Sequence, residues 1–274
     1  MNNRLGLTSY AYYWATSTTG HGAPACTPFD LVDKTAELGL AVLQICENVS
    51  LVGWEPARLV ALRDAARRSG VTLQVGARGP DDADLRAALE AARILESRLL
   101  RVVLWSGVET RQQLSLADMH GVVAGLLPLC HAYDVTLAIE NYFGFPDDEL
   151  AAFVRRFDDE RVGVCLDTAN STGRLVPTLD TVRLLAPYAV SVHLKDYAVT
   201  KHVPGSYRID GVPLGQGWLD VPAVLDAVVR AGRHPDVLIE LWTEPSETPE
   251  ATRRTEDDWM RQSVAYLSNI GYHE

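Results

Sequence analysis

Short apolar runs rich in β-branched residues alternate with longer segments in which apolar residues recur at helical spacing. Runs of this kind are typical of buried strands. We predict strands near residues 5–9, 42–46, 71–75, 99–104, 135–140, 162–167, 190–194 and 237–241. Because strand and helical patterns alternate along the whole chain, we expect parallel strands that close into a barrel surrounded by helices.

Capping residues mark where predicted helices begin. Thr27 is placed to cap a helix that opens at Pro28, and Asp220 is placed to cap a helix over residues 221–231. An open doubly wound sheet is the alternative fold, but it usually has a glycine-rich turn after its first strand, and the segment TSYAYYWA contains no glycine. We therefore predict the α/β class, with a single (β/α)8 TIM-barrel domain over residues 1–274.

Alternation within the late strands separates a bulky face from a small and polar face. We expect the bulky face, which includes Val190 and Val192, to pack under the helices while the polar face points into the barrel. Four potential metal ligands fall on inward positions at the carboxyl ends of strands, where such barrels place their chemistry: Glu140, Asp167, His193 and Glu240. Residues 196–219 form the longest irregular stretch, and we expect an active-site loop there.

Three carboxylates and one imidazole make an oxygen-rich set of donors. Such a set suits manganese, magnesium or cobalt better than zinc, which thiolates favour. The first two intervals along the chain correspond to one strand–helix unit each, and the third is longer because residues 196–219 are inserted. The alternative is that the four groups are separate, each in its own ion pair or helix cap. We favour convergence on one divalent cation, because all four are in register.

Composition and charge exclude several classes of function. The net charge is −11 and the basic residues are scattered, so the chain lacks the basic face that nucleic-acid binding needs. No apolar run approaches the roughly 20 residues of a membrane span, and the segment MNNRLGLTSYAYYW lacks the pattern of a secretion signal. The four cysteines form no CxxC pair, which fits a reduced compartment. We expect a cytoplasmic protein that contacts neither nucleic acid nor membrane.

Five segments resemble the sugar phosphate isomerase/epimerase family, the xylose-isomerase-like metal barrels: AIENY, CLDTANS, SVHLKDY, VPLGQGWLD and IELW. The resemblance covers essentially the whole chain and implies that the four inward residues bind one divalent ion, with manganese expected first and magnesium or cobalt as alternatives. It also implies that Glu140 and Glu240 act as the acid/base pair. Relatives form dimers or tetramers, so the resemblance implies a homodimer or homotetramer, although no interface pattern is visible in the sequence.

This resemblance implies an isomerase or epimerase that acts on a keto-sugar or a related sugar-derived substrate. A divalent cation bound at the carbonyl stabilises the enediolate that forms when the adjacent proton is removed, and carboxylates remove and return protons. The segments VGARG, LRVVLW, DTANS, HLKDY and WMRQSVAYL also resemble the 3-oxo-isoapionate decarboxylase branch of the superfamily, so a lyase is the alternative. Inosose dehydration is a third use of the same barrel.

Two further hypotheses belong to other classes of protein. A DNA endonuclease of the same fold is the first, and a resemblance to it would imply a three-metal site with several additional histidines. This chain offers one clear histidine ligand and has an acidic net charge, which argue against it. A binding barrel without catalytic activity is the other hypothesis, and the complete set of four ligands argues against it.

Further residues near the strand ends are candidate contacts for a small sugar or sugar-acid substrate: Lys195, Asn170, Glu47, Arg78, Trp105 and Trp14, with His202 and Arg208 in the long stretch. Lys195 comes two residues after His193 and therefore faces the same interior. Arg78 has the geometry to bind a carboxylate or phosphate through paired hydrogen bonds. For each candidate, an internal ion pair, plain packing or solvent exposure is the alternative.

Overall fold

The computed structural model describes residues 4–17, 24–104 and 116–272. These residues contain ten strands: β1 (Leu5–Thr8), β2 (Val42–Ile45), β3 (Thr72–Arg78), β4 (Leu99–Val103), β5 (Thr136–Glu140), β6 (Val162–Asp167), β7 (Ala189–Leu194), β8 (Asp196–Lys201), β9 (Tyr207–Val212) and β10 (Asp236–Ile239). Strands β1 to β7 and β10 are parallel and close into one barrel, with β10 between β7 and β1. The predicted (β/α)8 barrel is confirmed.

Helices connect the strands on the outside of the barrel. The described residues form α1 (Tyr13–Thr16), α2 (Pro28–Glu37), α3 (Pro56–Arg68), α4 (Asp82–Leu95), α5 (Leu116–Tyr133), α6 (Asp147–Arg155), α7 (Thr178–Leu185), α8 (Val221–Arg230) and α9 (Pro249–Asn269). The hydroxyl of Thr27 caps α2 and the carboxylate of Asp220 caps α8, as predicted. Both residues accept a backbone N–H that the first turn of a helix leaves unpaired.

An antiparallel hairpin occupies part of the stretch that was predicted as a loop. β8 and β9 pair along their full length, and the turn between them contains Pro204 and Gly205. The loop prediction for residues 196–219 was wrong for β8 and β9, which are regular strands. Tyr197, Val199, Tyr207 and Ile209 alternate with more polar residues and line one apolar depression, so the two-residue period of a half-buried strand is present here. The hairpin was missed because it lies outside the strand–helix repeat from which the barrel was predicted.

A bulge in β7 changes the packing inside the barrel. The register between β6 and β7 shifts after Ala189, so that Val190 is an extra residue. Val190 packs inside the barrel against a small inner cluster: Leu99, Ala138 and Cys165. The prediction that Val190 packs under the helices was therefore wrong. A Cβ on Gly163 would lie 2.5 Å from the Val190 side chain, so glycine on β6 leaves the room that this arrangement needs.

All four cysteines are buried and free of disulfide bonds. Among the described residues, no helix is both long enough and apolar enough to cross a membrane.

Helix α9 holds the segment after β1 through a buried carboxylate. The two carboxylate oxygens of Glu256 accept the backbone N–H groups of Trp14 and Ala15, at 2.7 and 3.0 Å. Burial raises the pKa of Glu256 to about 7, despite the lowering effect of these two donors. The contact fixes the backbone that carries Trp14 at the carboxyl end of the barrel.

We expect the stabilising effect of Glu256 to depend on pH. Because its pKa is raised in the folded chain, the folded state binds this proton more tightly than the unfolded chain does. The contribution of Glu256 to stability is therefore fully present below the ordinary glutamate pKa of 4.5 and is lost as pH rises through about 7. The measurement is urea denaturation of wild type and Glu256→Gln between about pH 5 and 8, a window around this transition. The difference in free energy of unfolding should shrink with rising pH.

The matched control is Glu250→Gln on the same helix, where the side chain is exposed. That substitution should leave the pH dependence of stability unchanged in the same window. A Glu256→Gln variant whose difference from wild type grows with pH would contradict the burial argument.

Candidate active site

The four predicted ligands converge at the carboxyl end of the barrel. Glu140 and Asp167 end β5 and β6, His193 is in β7, and Glu240 directly follows β10. All four side chains are buried. The Nδ1 atom of His193 lies 3.1 Å from Glu240 Oε2, 3.6 Å from Glu140 Oε2 and 3.8 Å from Asp167 Oδ2. The predicted convergence of these side chains is therefore present in the structure.

Two buried polar atoms in this cluster make no hydrogen bond. They are Asp167 Oδ2 and His193 Nδ1, and both face the centre of the group. Buried polar atoms in native proteins usually have a hydrogen-bond partner, so a carboxylate oxygen and an imidazole nitrogen that both lack one suit the binding of a cation. Lys195 Nζ forms an ion pair with Asp167 Oδ2, at 3.0 Å. Asp167, His193 and Glu240 each offer one ligand atom, and the three atoms lie within 4.8 Å of one another. The donor set is the one that a hard divalent ion prefers.

A second possible donor group in the described residues contains a thiol, from Cys165, together with Glu140 and His193. Burial raises the pKa of Cys165, which disfavours the thiolate that a metal needs. The oxygen-rich group with Asp167 and Glu240 is therefore the better candidate.

Lys195 joins two of the carboxylates. Its Nζ atom lies 2.7 Å from Glu240 Oε1 and 3.0 Å from Asp167 Oδ2. The other oxygen of Glu240 accepts the hydroxyl of Thr8 at 2.9 Å. The Asp167 Oδ1 atom accepts the backbone N–H groups of Ala169 and Asn170. These contacts fix both carboxylates and leave Asp167 Oδ2 directed at the centre.

Arg101 joins the other two carboxylates, Glu140 and Glu47. It projects inward from β4 with 2% of its side chain exposed, its Nε donates to Glu140 Oε2, and its Nη1 lies 2.6 Å from Glu47 Oε2. Glu47 also accepts the Arg78 Nε at 2.7 Å and the Tyr10 hydroxyl at 2.9 Å. The predicted candidates Glu47 and Arg78 therefore form an internal ion pair at the mouth of the barrel.

Asn170 links the two halves of the site. Its Nδ2 donates to Glu140 Oε1 at 2.8 Å, and its Oδ1 accepts from Lys195 Nζ at 3.4 Å. The side chain is fully buried at the start of a short 3-10 helix after β6. Asn170 is thus positioned to orient Glu140 rather than to cap a surface loop.

The two glutamates have different electrostatic surroundings. Burial raises the pKa of Glu140, and the nearby Arg101 guanidinium only partly offsets this effect. Burial also acts to raise the pKa of Glu240, but Lys195 and His193 lower it well below its usual range. In the chain without a cation, a proton is therefore retained more readily on Glu140 than on Glu240.

A cavity of about 420 Å³ opens above this cluster. Its wall includes six of the residues predicted as ligands or contacts: Glu140, Glu240, Lys195, Asn170, Arg78 and Trp14. Aromatic rings form much of the wall, and the predicted contact Trp14 is among them: Tyr10, Tyr13, Trp14, Tyr142, Phe143 and Trp242. A wall of this composition suits a small polar molecule with apolar faces, such as a sugar derivative.

The remaining predicted contacts are His202, Arg208 and Trp105. His202 and Arg208 lie exposed in or beside the β8–β9 hairpin and are not among the residues that line the cavity, because strand pairing carries them away from the barrel mouth. Arg208 instead pairs with Asp210 on its own strand. Trp105 lies outside the described residues.

Arg101 is the site residue that the sequence pattern did not single out. The alternation rule that identified the ligands places Leu99, Arg101 and Val103 on one face of β4, opposite Leu100 and Val102. The same rule places Gln44 on the inner face of β2 and Gln74 on that of β3. A polar residue at an inward position of an apolar strand was therefore a usable signal.

Comparison with known proteins adds independent information. A family model described as xylose isomerase-like TIM barrel matches residues 32–270. A 3-oxo-isoapionate decarboxylase of Pectobacterium atrosepticum is 30% identical over 264 residues, which cover 96% of this chain and 94% of that protein. Among solved structures, a D-psicose 3-epimerase from Clostridium cellulolyticum H10 with D-tagatose has a TM-score of 0.74 at 17% identity, covering 99% of this chain and 100% of its own.

A second solved structure has the same fold. A xylose isomerase-like TIM barrel protein from Mycobacterium smegmatis in complex with magnesium has a TM-score of 0.71 at 14% identity, and the match covers 97% of this chain and 98% of that chain. At these identities the two structural matches establish the fold alone, whereas the family model and the decarboxylase also relate the sequences.

Arg101→Met should destabilise the protein strongly. Removing the guanidinium leaves the buried Glu140 carboxylate without its cation, and breaking a buried pair in this way costs about 3–5 kcal/mol. The measurement is urea unfolding in the presence of a chelator. Arg230→Met is the matched control, because it removes an exposed pair with Asp226 and should cost about 0.5 kcal/mol. Equal losses in the two variants would contradict the assigned role of Arg101.

Proposed function

The chain belongs to the xylose isomerase-like TIM barrel family, and on that premise we propose that it is a divalent-metal-dependent enzyme acting on a sugar-derived carbonyl compound. The observation that carries the proposal is that two buried atoms without a hydrogen bond, Asp167 Oδ2 and His193 Nδ1, lie beside Glu140 and Glu240, which line an open cavity. Manganese is the ion we propose first, with magnesium or cobalt as alternatives, because the donors are mostly carboxylate oxygens.

Glu140, Asp167, His193 and Glu240 are the residues that would hold the cation. Bound there, it would supply positive charge against the oxyanion that develops when a bond next to a carbonyl breaks. Asn170 and Arg101 orient Glu140, while Lys195 and Thr8 orient Glu240. The protein thus presents two positioned carboxylates to one cavity, which is the arrangement that proton transfer at carbon requires.

Decarboxylation of a 3-oxo sugar acid is the reaction we favour. The relative that matches nearly the whole chain is a 3-oxo-isoapionate decarboxylase. In an acid of this kind the bond to the carboxylate breaks, carbon dioxide leaves, and the electron pair moves through the adjacent carbon to the carbonyl oxygen. A proton then returns to that carbon, and we assign this transfer to Glu140 or Glu240. Three cationic side chains line the cavity and suit an anionic substrate: Arg78, Arg101 and Lys195.

Isomerisation or epimerisation of a keto-sugar is the second candidate. The observation that favours it is that both Glu140 and Glu240 reach the cavity, one to remove a proton and the other to return it. The intermediate would be the same kind of enediolate, formed by loss of a proton instead of carbon dioxide. The two candidates therefore differ in which bond next to the carbonyl breaks.

One assay separates the two candidates. Protein loaded with manganese, magnesium or cobalt is incubated with ketoses, inososes and 3-oxo sugar acids, and both carbon dioxide release and product stereochemistry are followed. We expect carbon dioxide from the 3-oxo acids. Isomerised ketose without carbon dioxide would favour the second candidate, and protein that binds the ion but converts none of these compounds would contradict both.

Glu240→Gln should lower turnover by about 100-fold or more, because it removes a charged donor and an acid/base group in one step. Its affinity for manganese should fall as well. The matched control is Glu247→Gln, an exposed glutamate in the segment that follows β10. Steady-state rates and calorimetric titration with manganese provide the two readouts. Turnover of Glu240→Gln at the wild-type rate would remove Glu240 from the mechanism.

A further inference from the structure

A row of hydrogen-bonded side chains connects His193 to the opposite end of the barrel. The Nε2 atom of His193 is 2.9 Å from Gln44 Oε1, Gln44 Nε2 donates to Gln74 Oε1 at 2.9 Å, and Gln74 Nε2 donates to Asp236 Oδ2 at 2.8 Å. The row begins at a predicted metal ligand and ends at the first residue of β10. We refer to Gln44, Gln74 and Asp236 as the interior row.

The strands hold the interior row rigidly. Gln44 and Gln74 are directly opposite each other in the pairing of β2 with β3. Both are buried inside the barrel, with 0% and 3% exposed, respectively. Asp236 is held by Arg4, whose Nε and Nη2 donate to its two oxygens at 2.9 and 2.7 Å. A buried amide with fixed partners at both ends has little freedom to turn over.

The charge of Asp236 determines which way the side-chain amides of Gln74 and Gln44 are oriented. A carboxylate paired with arginine accepts hydrogen bonds and donates none, so the amide NH2 of Gln74 must face it. The side-chain oxygen of Gln74 then faces Gln44 and accepts a hydrogen bond from the Gln44 NH2 group. The side-chain oxygen of Gln44 therefore faces His193. A hydrogen bond to that oxygen requires a proton on His193 Nε2. In a neutral imidazole, Nδ1 is then the nitrogen with the lone pair.

We propose that the interior row is a positioning device that keeps the proton of His193 on Nε2 and thereby presents Nδ1 as a donor to a divalent cation. This inference rests on the proposed function, since it assigns a role toward the same ion. Nδ1 is the atom that lies among the carboxylates of Glu140, Asp167 and Glu240 and makes no hydrogen bond. Partners behind a ligating histidine typically change metal affinity by about 10–100-fold.

The first test is the location of the His193 proton. Long-range proton–nitrogen spectra of the zinc-loaded protein distinguish the two ring nitrogens, and zinc is used because it is diamagnetic. We expect a proton on Nε2 that exchanges slowly with water in wild type, and faster exchange in Gln44→Leu. A zinc-loaded wild type with its proton on Nδ1 would overturn the proposal.

The second test measures affinity with a matched pair of variants. Asp236→Ala and Arg4→Ala both remove the ion pair at the base of the barrel, but only Asp236→Ala removes the acceptor that orients Gln74. In calorimetric titrations with manganese and zinc, Gln44→Leu should bind about 10–100-fold more weakly than wild type. Asp236→Ala should show a smaller loss, and Arg4→Ala, which keeps the Asp236 carboxylate as an acceptor, should lose less affinity than Asp236→Ala.

The outcomes separate this inference from the proposed function. Wild type that binds neither ion contradicts the proposed function and the inference together. Wild type that binds normally, with Gln44→Leu and Asp236→Ala binding equally well, overturns the inference alone. Circular dichroism establishes that each variant is folded. If Gln44→Leu does not fold, Asp236→Ala decides the question, because its side chain lies nearer the barrel surface.

Discussion

Paired charge at the carboxyl end of the barrel is the constraint on which the site depends. Glu47, Glu140, Asp167 and Glu240 bring four carboxylates into a largely buried space, and an unpaired buried charge costs several kcal/mol. Two cations are placed between them: Arg101 joins Glu47 to Glu140, and Lys195 joins Asp167 to Glu240. Each carboxylate is thereby fixed in position before any ligand arrives. The site is therefore preorganised, because its charged side chains are already oriented once the chain has folded.

The atoms that hold the carboxylates in place differ from the atoms that make no hydrogen bond. Oxygens that bind Thr8, Asn170 or backbone N–H groups hold the carboxylates in place. Asp167 Oδ2 faces the Lys195 ammonium and makes no hydrogen bond, and His193 Nδ1 makes none either. A barrel arranged in this way suits any reaction in which negative charge develops beside a carbonyl. The decarboxylase that is 30% identical over nearly the whole chain is named for a reaction of this kind.

Much of the fold and of the candidate site could be predicted from alternation along the strands. Glu140, Asp167 and His193 were found because inward positions recur at every second residue. Arg101 and Gln44 satisfy the same rule but carry no sequence signal for their partners, because those partners come from distant strands. The hairpin of β8 and β9 was missed although Tyr197, Val199 and Ile209 alternate with more polar residues, because it lies outside the strand–helix repeat. Val190 was misplaced since a bulge leaves no mark in the sequence. Periodicity thus gives the direction of a side chain, whereas its contacts depend on the closure of the barrel.

The bulge in β7 has a consequence for the ancestry of the site. Ala189 belongs to the outer core and Ser191 to the inside, although two residues apart on a regular strand would share a face. The extra residue Val190 therefore shifts the phase of everything after it, and His193 faces the barrel axis only because of that shift. If the strand lost the bulge but kept all its residues, regular alternation from Ala189 would turn the imidazole outward, under the helices. If Val190 were lost together with the bulge, Ser191 would follow Ala189 directly and His193 would still face the axis. The bulge and its extra residue must therefore be inherited together.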